Sequence, residues 1–221
     1  MKVSIIVPVF NEEETIEEII ARLRAVSLEQ ELILVNDASS DASGSIMNTL
    51  AQDGSIKVLH HPVNRGKGAA IATGLAHASG DVAVIQDADL EYNPQDFVPM
   101  LALLQKKQVD VVYGVRNLSS QRFVMRWGNR FLSWLTSLLY GRTVSDMETC
   151  YKMLSRKVYQ GLKLECRRFD VEAELTAKIL KGNFSFAEYP IQYIARYENK
   201  KLSPLDGLPA LKALIKYRFQ N

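Results

Sequence analysis

Five short apolar runs, separated by segments of helical period, fill the first 115 residues and limit the kinds of sheet this chain can build. Residues 3–9, 31–36, 56–60, 81–86 and 110–115 are rich in Val and Ile and bounded by turn residues, which predicts strands. Between them, 15–25, 43–52, 66–77 and 94–105 carry apolar residues at helical spacing. The last has a start signal, with Asn93 to cap, Pro94 at the first helical position and Asp96 in the first turn. Strands that alternate with helices pair in parallel, because each parallel connection needs a crossover of about a dozen residues. The expected fold is α/β: a doubly wound, mostly parallel sheet with helices on both faces.

After Arg116 the rhythm changes. Residues 122–140 interleave Phe123, Trp127, Phe131, Trp134 and Leu138 with Arg122, Arg126 and Arg130, which predicts an amphipathic helix that either packs on the core or meets lipid. A helix over 171–180, a strand over 185–193 and a terminal helix over 205–219 follow. Without repeats or a low-complexity linker, the 221 residues read as one domain, residues 1–115 forming one half and 116–221 the other.

The bulk numbers narrow the function. With 47% hydrophobic and 24% charged residues the chain is an ordinary globular protein, and a net charge of +2 is too small to call for nucleic acid. Glu12, Glu13, Glu14, Glu17 and Glu18 crowd the beginning, whereas Arg and Lys gather at 116–130 and 196–218, which suggests an anionic partner for the second half. Cys150 and Cys166 match no zinc or redox spacing and read as isolated thiols. A signal peptide is not expected at the N-terminus, nor is any apolar run of about 20 residues found. The expected location is cytoplasmic, with any membrane contact peripheral.

In open α/β sheets ligands collect at the carboxyl ends of the strands. Here the first predicted strand ends in Pro8-Val9-Phe10-Asn11-Glu12, the second in Val35-Asn36-Asp37 and the fourth in Gln86-Asp87-Ala88-Asp89. Two carboxylates as close as Asp87 and Asp89 repel unless a cation neutralises them, and oxygen ligands suit Mg²⁺ or Mn²⁺. The segment Asn64-Arg65-Gly66-Lys67-Gly68 opens a helix without P-loop or dinucleotide spacing; it reads as a phosphate-favouring helix start or as a tight turn.

These segments, together with Gly66-Lys67-Gly68-Ala69-Ala70, Gln86-Asp87-Ala88-Asp89-Leu90-Glu91-Tyr92 and Asp146-Met147-Glu148-Thr149-Cys150-Tyr151-Lys152, resemble the inverting family 2 glycosyltransferases. The branch they resemble is that of dolichol-phosphate mannosyltransferase and the bacterial polyprenyl-phosphate transferases. The resemblance implies a GT-A-like fold with an acceptor-side C-terminal elaboration. It also implies metal-dependent transfer of a hexose, mannose or glucose, from a GDP- or UDP-linked sugar to a polyprenyl or dolichyl phosphate. Pro8, Phe10, Glu12, Val35 and Asp37 would line the nucleoside pocket, and Lys67 would face the phosphates. Asp87 and Asp89 would bind the metal, with Glu91 close to it and Ala88 against the nucleotide. Arg116 would face the donor diphosphate or the acceptor phosphate, Asn129, Arg130 and Ser133 would meet the acceptor phosphate, and Arg196, Lys200 and Lys201 would close over the donor. Asp146 would act either as general base or as the group that positions the arginines. The alternatives are the same chemistry on a soluble saccharide hydroxyl, a sugar nucleotidyltransferase, and a non-catalytic nucleotide-sugar-binding protein.

Overall fold

The computed structural model describes residues 1–121, 123–165, 170–195 and 207–220. Seven strands, β1 (Val3–Val9), β2 (Gln30–Asn36), β3 (Ile56–His60), β4 (Val82–Ile85), β5 (Val111–Arg116), β6 (Lys152–Ser155) and β7 (Phe186–Ile191), form one sheet. Its order is β3-β2-β1-β4-β6-β5-β7. β1 lies between β2 and β4, parallel to both, in a register that sets Ile6 against Ile33 and Ile85. Helices cover both faces, which is why these strands read as continuous apolar runs and not as alternating patterns.

The helices are α1 (Ile16–Arg24), α2 (Ser43–Leu50), α3 (Lys67–Ala76), α4 (Phe97–Lys107), α5 (Phe123–Tyr140), α6 (Arg156–Gly161), α7 (Val171–Lys181) and α8 (Gly207–Phe219). α1 buries Ile16, Ile19, Ile20 and Leu23, one stripe at three- and four-residue spacing, and turns its glutamates outward. α3 lies directly on β1 because Gly74 has no side chain: a Cβ there would stand 2.4 Å from Ile6 Cγ2.

The structure departs from the sequence expectation in three places. The segment at 94–105 begins as a 3₁₀ turn, Pro94–Asp96, with the Asn93 side chain accepting from Gln95 N–H; the α-helix starts at Phe97 and ends on left-handed Gln108. β6 was not anticipated. It has four residues, begins on a lysine, and runs antiparallel between β4 and β5, setting Val82 against Ser155 and Val112 against Met153. α6 follows at once and is too short to show a period. The terminal helix is described from Gly207; residues 205 and 206 lie outside the described residues.

Candidate active site

The four parallel strands β1, β2, β4 and β3 each release the chain into the sheet's carboxyl edge through one residue with positive φ. These are Asn11 (52°) after β1, Ala38 (57°) after β2, Gly66 (90°) after β3 and Leu90 (63°) after β4. Such backbone is unfavourable for alanine and leucine and persists only where the surroundings hold it. Around Asn11 and Ala38, hydrogen bonds between the first two loops do so: Asn11 N–H donates to Ser39 Oγ (3.0 Å), Ser40 N–H to Asn11 Oδ1 (2.8 Å) and Glu12 N–H to Ser43 Oγ (2.8 Å). Pro8 and Val35 are register partners on neighbouring strands, and Phe10 is exposed at the rim. The Glu12 carboxylate accepts from Thr15 Oγ1 at 3.0 Å.

Asp37 lies beneath this rim, 2% exposed. Its carboxylate accepts the backbone N–H groups of Arg65 (2.9 Å) and Gly66 (2.7 Å) and pairs with His61 Nδ1 at 2.6 Å, while His61 Nε2 meets Thr73 Oγ1 at 2.9 Å. Both oxygens are therefore engaged in holding the turn that opens α3. His61, which the sequence reading did not single out, orients the carboxylate.

α3 then places Lys67 against the end of β4. Its ammonium lies 2.7 Å from Asp87 Oδ1 and 2.9 Å from Oδ2, and 3.4 Å from Glu172 Oε1 on α7. Burial works against the lysine's charge, but Asp87, Cys150 and Glu172 together outweigh it and the group stays protonated well above its usual range. Among the described residues Asp89 forms no ion pair, although the charge of Lys67 works on it from a distance. Burial, and after it the carboxylates of Asp87 and Glu91, push it up to about 7. Glu91 turns toward the second half of the molecule, where its carboxylate accepts from Tyr193 OH at 2.8 Å. Among the described residues no three His, Cys, Asp or Glu side chains converge as a ready-made cation site. The carboxylates of Asp87 and Asp89 could take a divalent ion only with oxygens supplied by a ligand or water. Cys150 is a free, buried thiol whose Sγ donates to Ile85 O; Cys166 lies outside the described residues.

Across the edge, β5 ends on Arg116, which forms a two-pronged pair with Asp146: Nε to Oδ2 at 2.7 Å and Nη2 to Oδ1 at 2.8 Å, with the Arg116 N–H adding a third bond at 3.1 Å. Asp146 is 2% exposed, so its carboxylate is committed to Arg116. The guanidinium also lies 5.2 Å from the centre of the Tyr193 ring. Tyr193 thus joins Glu91, Arg116 and, through Gln121, the first turns of α5, since Gln121 Nε2 meets Tyr193 OH and Gln121 Oε1 accepts from Asn129. Ser133 is buried and its hydroxyl accepts Met147 N–H at 2.9 Å, tying α5 to the loop that carries Asp146. Arg130 is exposed. Arg196, Lys200 and Lys201 lie outside the described residues.

The sequence reading passed over Glu172 and quoted Lys152 only as the end of a motif, without a role. Lys152 is fully buried on β6, bonded to Glu172 Oε2 at 2.6 Å and to the carbonyls of Met147 and Thr149. Nothing in the sequence marks Glu172 as buried, since α7 also carries Glu174, Thr176, Lys178 and Lys181 and reads as an ordinary helix with a polar face.

Residues 4–162 match the family model described as Glycosyl transferase family 2. The chain is 28% identical over 201 residues to an undecaprenyl-phosphate 4-deoxy-4-formamido-L-arabinose transferase of Salmonella choleraesuis (strain SC-B67). It is 29% identical over 203 residues to one of Enterobacter sp. (strain 638). Each alignment covers 88% of this chain and 60% of the relative, so the chain spans about three-fifths of the length of these curated proteins. Among solved structures, glucosyl-3-phosphoglycerate synthase from Mycobacterium tuberculosis in complex with Mn²⁺, UDP and phosphoglyceric acid superposes with a TM-score of 0.76 at 22% identity, over 99% of this chain and 78% of that one. Its complex with Mn²⁺, UDP-glucose and phosphoglyceric acid gives a TM-score of 0.77 at 22% identity, over 98% and 79%. At such identity the likeness is one of fold, and the fold is GT-A-like. With the family model spanning most of the sheet and the strand-end loops described above, the chain belongs to glycosyl transferase family 2.

Proposed function

We propose that this protein transfers a hexose, mannose or glucose, from a GDP- or UDP-linked sugar to a polyprenyl or dolichyl phosphate, with inversion at the anomeric carbon. The observation that carries this reading is the meeting of the Asp87–Asp89 pair with the Arg116–Asp146 clamp at one edge of the sheet, bridged by Glu91 and Tyr193. The curated relatives are named as undecaprenyl-phosphate sugar transferases, which supports a lipid phosphate as acceptor. The solved structures of like fold hold UDP and Mn²⁺, which supports a nucleoside-diphosphate donor and a divalent ion.

Mg²⁺ or Mn²⁺ fits the residues present. Asp89, raised to about 7 by burial and by its carboxylate neighbours, gains from a cation, and two carboxylates completed by diphosphate and water are an oxygen set that these ions accept. A bound ion would supply Lewis-acid stabilisation of the departing diphosphate. In the transfer an acceptor phosphate oxygen attacks the anomeric carbon, the bond from that carbon to the donor's diphosphate oxygen breaks, and its electron pair leaves with the nucleoside diphosphate. A lipid monophosphate is ionised near neutral pH, with a second pKa of about 6 by analogy with phosphorylated side chains, so it needs orientation more than a base. Arg116 supplies that orientation, and Asp146 acts through it as a positioning residue. Arg130 offers a second guanidinium.

The outer face of α5 supports a lipid-borne acceptor. Phe123, Trp127, Phe131, Trp134 and Leu138 lie on one stripe, each more than half exposed, beside Arg126 and Arg130 on a helix with no acidic residue. A soluble monomer seldom leaves such a stripe uncovered, whereas a helix resting on lipid headgroups has this composition. Among the described residues no helix is long and apolar enough to cross a membrane.

The test is a panel of nucleotide sugars with Mn²⁺, with and without polyprenyl phosphate, scored by release of nucleoside diphosphate. Release that depends on one sugar and on the lipid is expected. Release indifferent to the lipid across the panel would remove the lipid acceptor.

A further inference from the structure

The cation edge continues inward as a row of alternating charge, Asp87, Lys67, Glu172, Lys152, whose inner two members are buried. Lys67 holds both oxygens of Asp87, the oxygens a divalent ion would need. Its other neighbour is incompletely used. Glu172 has a side chain only 6% exposed, and its Oε2 is fixed on Lys152, but its Oε1 makes no hydrogen bond and lies 3.4 Å from Lys67 Nζ. A buried carboxylate oxygen without a donor is unfavourable, so the arrangement holds an acceptor in reserve within reach of the lysine.

We infer that Lys67 is the resident counter-ion of the metal-free site, which yields Asp87 to the arriving cation and moves onto Glu172. This rests on the reading of Asp87 and Asp89 as cation ligands and adds a part that the reading does not require. The two ends of the move are anchored. The backbone of Lys67 opens α3, whose preceding turn is clasped by Asp37, and Glu172 is held by a lysine that two carbonyls fix in turn. Only the lysine side chain has to rearrange, and its four-carbon stem with a rotatable head suits it for that where an arginine fork would not. With the ion absent, the lysine offsets part of the negative charge that Asp87 brings to the site. With the ion present, a lysine still on Asp87 would face a like charge across one carboxylate.

Mn²⁺ binding to the whole protein, followed by the loss of the free-ion paramagnetic resonance signal with and without UDP, tests the inference apart from activity. Lys67→Met should bind Mn²⁺ about tenfold more tightly than the parent, because the competing cation is gone. Glu172→Gln should bind several-fold more weakly, because the lysine has lost its charged alternative. In the Lys67→Met background, Glu172→Gln should change affinity little. A Glu172→Gln effect of the same size with and without Lys67 would reduce Glu172 to background charge and overturn the exchange, as would Lys67→Met binding no more tightly than the parent. If Glu172→Gln does not fold, a Mn²⁺-bound crystal structure decides: Lys67 Nζ on Glu172 supports the exchange, and Lys67 still on both Asp87 oxygens refutes it. Failure of the parent protein to bind Mn²⁺ even with UDP would refute the cation reading itself, an outcome distinct from these.

Discussion

Glu31, at the start of β2 and far from the candidate site, accepts from Ser4, Ser79, Gly80 and Lys2 and so joins β1, β2 and the entry to β4. Burial alone would raise its pKa, but the hydrogen bonds from Ser4, Ser79 and Lys2 outweigh it and hold the carboxyl at about 2. A folded-state pKa below the unfolded one contributes stability above the unfolded value, which is lost as the pH falls toward the folded one. The whole shift would correspond to about 3 kcal/mol; the carboxylate is partly exposed, so about 1 kcal/mol is expected after allowance for solvent screening. Urea denaturation of Glu31→Gln should show that deficit at neutral pH and a gap that narrows between about pH 5 and about pH 3; a constant gap would contradict the assignment. Asp146→Asn tests a second well-bonded carboxylate, this one at the candidate site. If Asp146 positions Arg116, KM for the lipid acceptor should rise about tenfold while the pH profile keeps its shape. An acceptor KM left unchanged, with the acidic limb of the profile lost, would make Asp146 a base. Residue identities at strand ends were readable because ligand sites in such sheets have a known address. The partners of Asp37 and Lys67 were not, because His61 and Glu172 reach them from 24 residues away or more; that Asp146 would position arginines came only through the family resemblance, and Arg116 is the one it holds.

At the scale of elements, periodicity located most of the chain. The strands from 3–9 to 110–115 and the helix at 122–140 appear within a few residues of the expected bounds, since buried parallel strands and a strongly amphipathic helix carry the plainest patterns. β6 escaped because four residues beginning with a buried lysine show no period, and its pairing with β4 and β5 is antiparallel in an otherwise parallel sheet. The lysine is there because β6 carries it to Glu172, so an irregularity in the pattern coincided with a part of the candidate site. For α5 the amphipathic pattern was legible but its use was not: core packing and lipid contact predict the same spacing, and only the exposure of the aromatic stripe separates them. The chain has two tryptophans, Trp127 and Trp134, both on that stripe and 55% and 57% exposed, so their emission reports on this face alone. Vesicles containing phosphatidylglycerol should shift the emission to the blue, phosphatidylcholine vesicles should do so far less, and Phe131→Ser with Leu138→Ser should abolish the shift. Emission indifferent to vesicles, or shifted by protein concentration alone, would turn the stripe from a lipid surface into something else.

For the whole molecule, the order β3-β2-β1-β4-β6-β5-β7 explains why one edge gathers so much chemistry. β1, β2 and β4 release their loops side by side in the first half of the chain, and the reversal at β6 brings β5 close to them with Arg116 at its end. The alternation of strands and helices foretold the parallel half; the second half depends on contacts between distant segments that no local pattern encodes. Its basic segment at Arg196, Lys200 and Lys201 remains a sequence-based expectation for the donor phosphates. The account as a whole stands on a divalent ion held by Asp87 and Asp89 during transfer to a lipid phosphate. Its most direct measurement is the mass of glycosylated polyprenyl phosphate formed from the active nucleotide sugar by chelator-stripped protein as Mn²⁺ is restored. We predict no product until the ion returns and none at any Mn²⁺ concentration for Asp89→Asn; product formed at the full rate by the stripped protein would contradict the account.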